Sequence, residues 1–467
     1  MERFPETAEE FYARRDDRTN RCTNGRDYQM AHSIVTMDAN LAETFTGQVM
    51  LLAVSNLLSR WCRRVTVVIP PVTAHPKVST QSTLIGDVVI AQMRDADPFG
   101  SFHVTEQLPS SEDIIQVHIG PNFQQVAPRH TVVSASGWHA SISRNGGSVP
   151  KQVLSDNCLG ALAASCLGVA QAFKLALGLP PQSFLTDLTL DLFNLKILPA
   201  GQEALPAHPF VAEPQLGRLL MVGAGSVASA TAYCLRLLGA RGGVVVVDGD
   251  VVRIENFNRS PVFGKSLYGR NKAAAVAAHL EGSGMKAIPF ERWWSEFIKK
   301  QGRQQNAFDV WLPLANEFGV RWSMQNNYPP IMIHASTTNN WGVNHGRHLS
   351  GRDDCLADRF SAEVSQEALE CSTSEVVMNE ERVDAALPFL SLFAGVLVAA
   401  ELSRLQLQGY PQAPNFALFD FGSDLSVIQA WDFKARSNCM CTSQLPGVDK
   451  KFNGSTKYYK LATRLVT

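Results

Sequence analysis

Leu219-Leu-Met-Val-Gly-Ala-Gly-Ser-Val-Ala228, followed by Val244-Val-Val-Val-Asp248, is the part of the sequence that decides the fold. The two apolar runs predict buried parallel strands, and Gly223 and Gly225 permit a tight turn from the first strand into a helix. Backbone N–H groups at such a helix start bind phosphate, and Asp248 lies where a carboxylate accepts ribose hydroxyls. The pattern therefore predicts an α/β domain that binds a nucleotide.

Polar and charged residues follow the second predicted strand, at positions Asp250, Asn256, Arg259 and Lys272. A dinucleotide needs no such cations, because backbone amides and the helix dipole already hold its pyrophosphate. Arg259 and Lys272 would instead offset the charge of a triphosphate and of a pyrophosphate leaving group. The pattern favours ATP over NAD, although either cation taken singly also fits a solvated surface residue.

The segment from Asp248 to Arg259, with the sequence DGDVVRIENFNR, resembles the phosphate-binding block of the ThiF/MoeB/HesA superfamily in order and spacing. That superfamily includes the ubiquitin-activating enzymes. The resemblance implies that Asp248 binds the ribose and that Asn256, Arg259 and Lys272 hold the triphosphate of ATP. It also implies that this ATP adenylates the C-terminal glycine carboxylate of a small protein.

The resemblance extends through residues 309–321, which look like the strand and loop that carry the magnesium-binding aspartate of the family. Here that position is Asn316, a neutral carbonyl ligand at best. The neighbouring Glu317 offers the anionic oxygen that Mg²⁺ prefers, so we expect Glu317 to bind the metal. The alternative, in which Asn316 is a turn residue and Glu317 an acid at a helix N-terminus, stays open.

Composition limits the classes of partner. The 467-residue chain is 45% hydrophobic and 18% charged, with a formal net charge of −1. Such a balance gives no electrostatic case for nucleic acid or a membrane surface as main partner. The N-terminus lacks the pattern of a signal peptide, and no apolar run is expected to reach transmembrane length. We therefore expect a cytoplasmic protein whose nine cysteines are reduced.

A proline-rich stretch at residues 199–209 has the composition of an interdomain connection and predicts domains at 1–205 and 206–467. Apolar helices predicted at 161–174 and 386–401 resemble each other. The first domain lacks the glycine-rich turn and the charged block of the second. We therefore predict two Rossmann-like, doubly wound domains, the first a degenerate copy that resembles the inactive adenylation half of two-domain ubiquitin-activating enzymes.

A polar segment at about 341–383 is predicted to be a crossover loop, with His345 and His348 as polar loop residues. In the related enzymes a cysteine of this loop accepts the acyl group from the adenylate. By that resemblance Cys371 is the candidate nucleophile, and Cys355 is an alternative. A thiolate suits the role because it attacks an acyl phosphate readily and forms a transferable thioester.

Cys355 has a second possible role as a zinc ligand. Related proteins carry two cysteine pairs around a structural zinc. Here Cys355 is followed at the place of its partner by Asp358, whereas Cys439 and Cys441 form a close pair near the C-terminus. An aspartate can bind zinc through oxygen, but the same change also fits a lost site.

The predicted function is activation of a ubiquitin-like protein: adenylation of its C-terminal glycine tail, thioester formation on Cys371 and transfer to a conjugating enzyme. The degenerate first domain most resembles the activating enzymes of bacterial ubiquitin-like conjugation operons, the BilD type, whose setting implies antiviral defence. A sulfur-carrier adenylyltransferase of the ThiF/MoeB kind is a near alternative. An NAD-dependent oxidoreductase and a non-catalytic scaffold are alternatives of other classes.

Overall fold

The computed structural model describes most of the chain as two α/β halves. The described residues are 3–81, 83–109, 114–144, 155–198, 205–301, 308–338, 340–356, 387–410, 413–436, 439 and 457–458. Within them the strands form two separate eight-stranded sheets. This arrangement confirms the predicted α/β class with two doubly wound sheets.

The first sheet contains strands in the order β3-β2-β1-β4-β5-β6-β7-β8. Strands β1 to β5 run parallel, and each of the last three is antiparallel to its predecessor. The strand bounds are β1 His32–Met37, β2 Arg64–Val68, β3 Ser101–Thr105, β4 Ile114–Ile119, β5 Arg129–Ser136, β6 His139–Ser143, β7 Leu188–Asp191 and β8 Lys196–Leu198.

The second sheet repeats this topology in the order β11-β10-β9-β12-β13-β14-β15-β16. Its strand bounds are β9 Gln215–Val222, β10 Arg241–Val247, β11 Met285–Phe290, β12 Val310–Pro313, β13 Ile331–Thr337, β14 Gly342–Leu349, β15 Phe416–Asp420 and β16 Gln429–Trp431. The pairings are again parallel up to the fifth strand and antiparallel beyond it. The predicted duplication is therefore confirmed by strand order and direction.

Eleven α-helices precede or connect the described strands, and helices after the first, second and sixth strands occur in both halves. Their bounds are α1 Ala8–Arg15, α2 Asp17–Asn20, α3 Ala39–Ala42, α4 Phe45–Ser59, α5 Ile85–Ala96, α6 Leu159–Ala176, α7 Ser226–Leu237, α8 Lys272–Glu281, α9 Trp294–Gln301, α10 Phe318–Gln325 and α11 Pro388–Arg404. Helices α6 and α11 each join the sixth strand of a sheet to the seventh. These are the two apolar helices that looked alike in sequence, so their likeness reflects the same position in each half.

Four apolar helices, α4, α6, α7 and α11, form the core between the sheets. Every residue of α4 and of α11 is buried. Small residues allow the helices to approach closely: a Cβ atom at Gly395 of α11 would lie 2.6 Å from the backbone of α7 at Ala230. Buried apolar residues of both halves belong to one continuous hydrophobic core. Burial of apolar surface is the main favourable term in folding, so this shared core stabilises both halves together.

Helix α6 contradicts the expectation that no apolar run reaches transmembrane length. Among the described residues it is long and apolar enough to span a membrane by length and composition. However, 94% of that segment is buried inside the protein. A buried core helix can have the length and apolar composition of a membrane span, because burial in protein selects apolar side chains just as lipid does.

The start of the predicted crossover loop is also corrected. Residues 342–349 form β14, which pairs with β13 and β15, and His345 and His348 are buried in it rather than lying in a polar loop. Polar composition made this strand resemble a loop. Two of its polar side chains are paired inside the fold: Arg347 donates to Asp353 at 2.9 Å, and His348 Nδ1 lies 2.8 Å from the carbonyl of Asp354.

Candidate nucleotide-binding site

The glycine-rich turn joins β9 to α7 at the carboxyl edge of the second sheet. Gly223 has a φ of +88°, and a Cβ atom there would lie 2.5 Å from the backbone nitrogen of Ala315. A side chain is therefore excluded by both conformation and space. A Cβ atom on Gly225, the N-cap of α7, would meet nothing within 4 Å. Protein atoms therefore fill the space beside Gly223, whereas the space beside Gly225, at the start of α7, is open.

Asp248 follows β10 directly and braces this turn. Its Oδ2 accepts a hydrogen bond from the backbone N–H of Ala224 at 2.7 Å, and its Oδ1 accepts one from Asp250 at 2.8 Å. Burial raises the pKa of Asp248, while Lys272 and these two backbone donors oppose the shift. The carboxylate lies at the adjacent strand end, where the sequence predicted it.

Asp250 and Lys272 are brought together by the start of α8. Lys272 Nζ lies 2.5 Å from Asp250 Oδ2. Asn271 caps the helix by accepting from Ala274, and its amide donates to the carbonyls of Asp248 and Asp250, each at 3.1 Å. Although partial burial raises the pKa of Asp250, the Lys272 ammonium outweighs it and holds that pKa below its usual value.

Asn256 and Arg259 lie in a compact loop just after this pair. Asn256 Oδ1 accepts from the backbone N–H of Arg253 at 2.9 Å, which fixes a short 3₁₀ turn. The Arg259 guanidinium donates to the carbonyl of Glu255 and to Asn258 Oδ1. Both predicted residues are 9% exposed, and Arg259 therefore lies folded along its own loop in this structure.

The first half holds this loop in place, which the sequence did not reveal. Arg60, fully buried at the end of α4, donates to the carbonyls of Phe257, Pro261 and Phe263. Arg14 of α1 donates to Glu255 at 2.8 Å. No local motif marks either arginine. Asn271, in contrast, was detectable, because an asparagine before a helix is a common N-cap.

The predicted magnesium ligands lie after β12, next to the glycine-rich turn. Asn316 is exposed, and Glu317 is partly buried at the N-cap of α10. Glu317 Oε2 is buried and has no hydrogen-bond partner among the described residues. Burial lowers the pKa of the nearby Arg321 to about 10, and attraction to Glu317 opposes this shift. A free carboxylate oxygen here fits a hard cation such as Mg²⁺.

The predicted zinc ligands are brought together in part. Cys355 and Cys439 are 84 residues apart in sequence, yet both are buried and their Sγ atoms lie 3.5 Å apart. Zinc–sulfur bonds of about 2.3 Å in a tetrahedron separate two thiolates by roughly 3.7 Å. The pair therefore fits two ligands of one zinc ion. Asp358 and Cys441, and the candidate nucleophile Cys371, lie outside the described residues.

Two family models match the chain. Residues 33–192 match the BilD N-terminal domain, and residues 215–441 match the ThiF family. The first match spans β1 to β7, in the half without the glycine-rich turn, and the second spans β9 to β16, in the half that carries it.

More distant similarity is found to individual proteins. The uncharacterized protein y4jF of Sinorhizobium fredii is 27% identical over 176 residues, which are 36% of this chain and 32% of that protein. Crystal structures of E. coli MccB with AMPCPP and MccA, or with ATP, match at 15% identity and a TM-score of 0.38. Both matches cover 48% of this chain, and 66% and 65% of the respective MccB chains. The matched part thus spans about a third of the curated relative.

Proposed function

Because residues 215–441 match the ThiF family and residues 33–192 match the BilD N-terminal domain, we propose that the chain activates a ubiquitin-like protein with ATP. The product of the first step is an acyl adenylate on the C-terminal glycine. The Cys371 thiolate then attacks the acyl carbon, the bond from that carbon to the phosphate breaks and AMP leaves, and the acyl group of the resulting thioester passes on to a cysteine of a conjugating enzyme.

One observation carries the nucleotide part of this proposal. The open turn at Gly225 and the Asp250–Lys272 pair lie at neighbouring strand ends of one sheet, joined by the Asp248 and Asn271 hydrogen bonds. Ligands of open α/β sheets bind at this edge, outside the carboxyl ends of the strands. The turn supplies helix N–H groups for phosphate, and Lys272 supplies a cation within the same edge.

The residues would share the first step as follows. A carboxylate oxygen of the glycine bonds to the α-phosphorus of ATP, and the bond from that phosphorus to the leaving pyrophosphate breaks. Lys272 and Arg259 offset the charge that builds on the leaving group. For Arg259 this role requires the guanidinium to turn from the Glu255 carbonyl toward the phosphates. Asp248 accepts the ribose hydroxyls while it braces the turn.

Magnesium would be held by Glu317, with the exposed amide of Asn316 beside it. When bound, the ion would supply positive charge to the phosphates. The unpartnered Glu317 Oε2 supports this assignment, since a buried carboxylate oxygen without a partner is costly unless it binds a donor or a cation. Cys355 and Cys439 would hold a structural zinc ion.

The direct test is incubation of the full chain with a candidate ubiquitin-like protein and ATP. Adenylation is measured by exchange of labelled pyrophosphate into ATP, and the thioester by gel analysis with and without reductant. A carrier that ends in glycine should support both signals, and the same carrier without its last glycine should support neither. Exchange without any thioester would favour a sulfur-carrier adenylyltransferase. Binding of NAD in place of ATP, or no exchange with any carrier, would reject the proposal.

The two half-reactions can be separated at Cys371. Cys371→Ala should leave pyrophosphate exchange nearly intact and abolish the reductant-sensitive conjugate, because the thiol is needed only after pyrophosphate has left. Cys355→Ala is the matched control. If the thioester persists in Cys371→Ala and disappears in Cys355→Ala, the nucleophile is Cys355, and its role as a zinc ligand is rejected.

A further inference from the structure

A second group of metal-ligand side chains lies in the first half, far in sequence from the ATP-binding residues. His139, Asp191 and His208 each offer a donor atom, and these atoms all lie within 4.8 Å of one another. His139 and Asp191 are buried, and His208 is partly buried. Neither the proposed adenylation nor the thioester step uses them.

Strand pairing fixes two of the three groups. His139 is the first residue of β6 and Asp191 the last of β7, and they are direct cross-strand partners. The equivalent cross-strand pair in the second half is Gly342 and Asp420. The second half therefore keeps the aspartate but has no imidazole opposite it, so the cluster is not a by-product of the repeated fold.

The third group comes from the connection between the halves. His208 Nε2 lies 3.0 Å from Asp191 Oδ2, and its ring stacks on Phe193 at 4.4 Å between centroids. The next residue, Pro209, accepts a hydrogen bond from Trp138 Nε1 at 3.0 Å. The connecting segment is thus held against the first sheet at this point.

The hydrogen bonding of His139 is the main evidence that this cluster binds a cation. Its Nδ1 lies 3.2 Å from the carbonyl of Ser136, which can only accept, so the Nδ1 proton is used there. Its Nε2 is buried, without a hydrogen-bond partner among the described residues, and lies 4.0 Å from Asp191 Oδ1. A lone pair therefore faces a carboxylate.

The surroundings match those of known metal ligands. A metal-binding histidine usually donates its other N–H to a backbone carbonyl, as His139 does to Ser136. The carboxylate of Asp191 is oriented by hydrogen bonds from the N–H groups of Phe193 and Asn194 and from the Asn194 amide. Bonds of about 2.0–2.1 Å in a tetrahedron separate donors by roughly 3.3 Å. His208 Nε2 lies 3.0 Å from Asp191 Oδ2, and His139 Nε2 lies 4.0 Å from the other oxygen, Oδ1.

We propose that His139, Asp191 and His208 bind a divalent transition-metal ion of the zinc class, with solvent as the fourth ligand. Through His208, the ion would link the segment that connects the two halves to strands β6 and β7 of the first sheet. Two imidazoles and one carboxylate suit zinc, and without thiolates they do not suit soft ions such as Cu(I). This inference is independent of the proposed adenylation.

The test uses the full chain stripped with a chelator and titrated with zinc chloride, with bound metal counted by elemental analysis. His139→Ala and His208→Ala should each lose one zinc equivalent per chain relative to the wild type. His103→Ala, which removes an exposed histidine of β3, should lose none. Equal zinc content in all four proteins overturns the proposal.

Cobalt separates this site from the cysteine pair. Cobalt bound by Cys355 and Cys439 gives intense thiolate charge-transfer absorption, whereas cobalt bound by imidazole and carboxylate gives only weak visible bands. In a Cys355→Ser, Cys439→Ser variant the weak bands should remain, and adding His208→Ala should remove them. Their absence from the cysteine variant, with its thermal unfolding otherwise normal, also overturns the proposal.

Hydrogen exchange tests separately whether the metal links the connecting segment to the first sheet. Zinc should slow backbone hydrogen exchange at residues 205–210 in the wild type and leave it unchanged in His208→Ala. Because stripped wild type and stripped His208→Ala are compared first, a folding defect of the variant is recognised before metal is added. Zinc binding without slower exchange at these residues rejects this link.

Discussion

The two halves share one strand order but differ where their first strands end. In the second half β9 leads into Gly223, which packs against the backbone of Ala315, and the space beside Gly225 is open. In the first half β1 leads into Asp38, whose carboxylate contacts His118 at 3.1 Å and Asn122 at 2.8 Å. The same sheet edge is thus open in one half and occupied by hydrogen-bonded side chains in the other.

Residues at equivalent strand positions show the same contrast. When the strands are aligned at their last paired residues, Thr36 and His118 of the first half correspond to Met221 and Leu312 of the second. Thr36 Oγ1 lies 2.9 Å from His118 Nδ1, whereas Met221 and Leu312 are fully buried apolar residues. The fold alone therefore does not make a nucleotide site. The side chains at the edge of the sheet decide it.

The degenerate half retains a structural role for the other half. Asn56 of α4 and Arg60, which directly follows α4, donate to a carbonyl of the loop that carries Arg259, and Asn258 donates to Thr19 of the N-terminal helices. A loop with this many polar backbone groups needs such donors when it is buried. The comparison predicts that variants of the two halves will fail in different ways.

The largest expected effect is on the cations of the second half. Lys272→Ala and Arg259→Ala should each reduce pyrophosphate exchange by about two to four orders of magnitude, because each removes a charge from a preorganised site. Lys272→Ala also leaves Asp250 with only the more distant cation of Arg253, at 3.5 Å, so Asp250→Ala added to it should restore part of the loss. Lys286→Ala, an exposed lysine of β11, is the control and should exchange like the wild type. Normal exchange in Lys272→Ala would remove this residue from the site.

Gly225→Ala should reduce exchange by about 10²-fold, because even a small displacement of the bound phosphates is costly. Its φ of −76° suits alanine and its Cβ would meet no protein atom, so thermal unfolding should hardly change. Gly178→Ala of the first half is the control for pyrophosphate exchange. Its Cβ would also meet no protein atom within 4 Å, although the φ of +58° adds backbone strain. Full activity in Gly225→Ala would show that the open space is not used by ATP.

Arg60→Met should lower the free energy of unfolding by about 2–4 kcal/mol, since it removes the guanidinium donor from the buried carbonyls of Phe257 and Phe263. It should also lower exchange, by roughly tenfold, although Arg60 lies in the other half from the turn. Arg241→Ala, a half-exposed arginine paired with Glu213, should stay within about 0.5 kcal/mol of the wild type. If Arg60→Met loses stability but keeps full exchange, the first half is only a scaffold.

The smallest effect concerns pH. Burial lowers the pKa of His118 below 6.5, and Asp38 only partly opposes this. Below pH 6.5 the unfolded chain binds a proton that the folded chain does not, so this contribution to stability is complete above pH 6.5 and falls as the pH is lowered. Urea unfolding at pH 7.5 and 5.5 should therefore show a smaller loss in His118→Gln than in the wild type. Equal losses would mean that His118 takes up its proton in both states.

Sequence reasoning succeeded where local patterns fix the structure. The apolar runs around Gly223 and the spacing to Asp248 predicted a strand, turn and helix, because a buried strand and a tight turn each leave a local pattern. It failed at β14, where His345 and Arg347 gave the composition of a loop. Their burial depends on Glu401 and Asp353, which lie elsewhere in the sequence.

The sequence by itself determined the two α/β halves, the glycine-rich turn and the charged residues that follow it, since each rests on contacts between near neighbours. Only the tertiary structure decided that Arg60 of the first half supports the loop of Arg259, that Cys355 meets Cys439, and that His208 joins His139 and Asp191. These contacts span tens to hundreds of residues. They arise because two sheets and the helices between them bury one common core, and no local periodicity records which distant side chains that packing brings together.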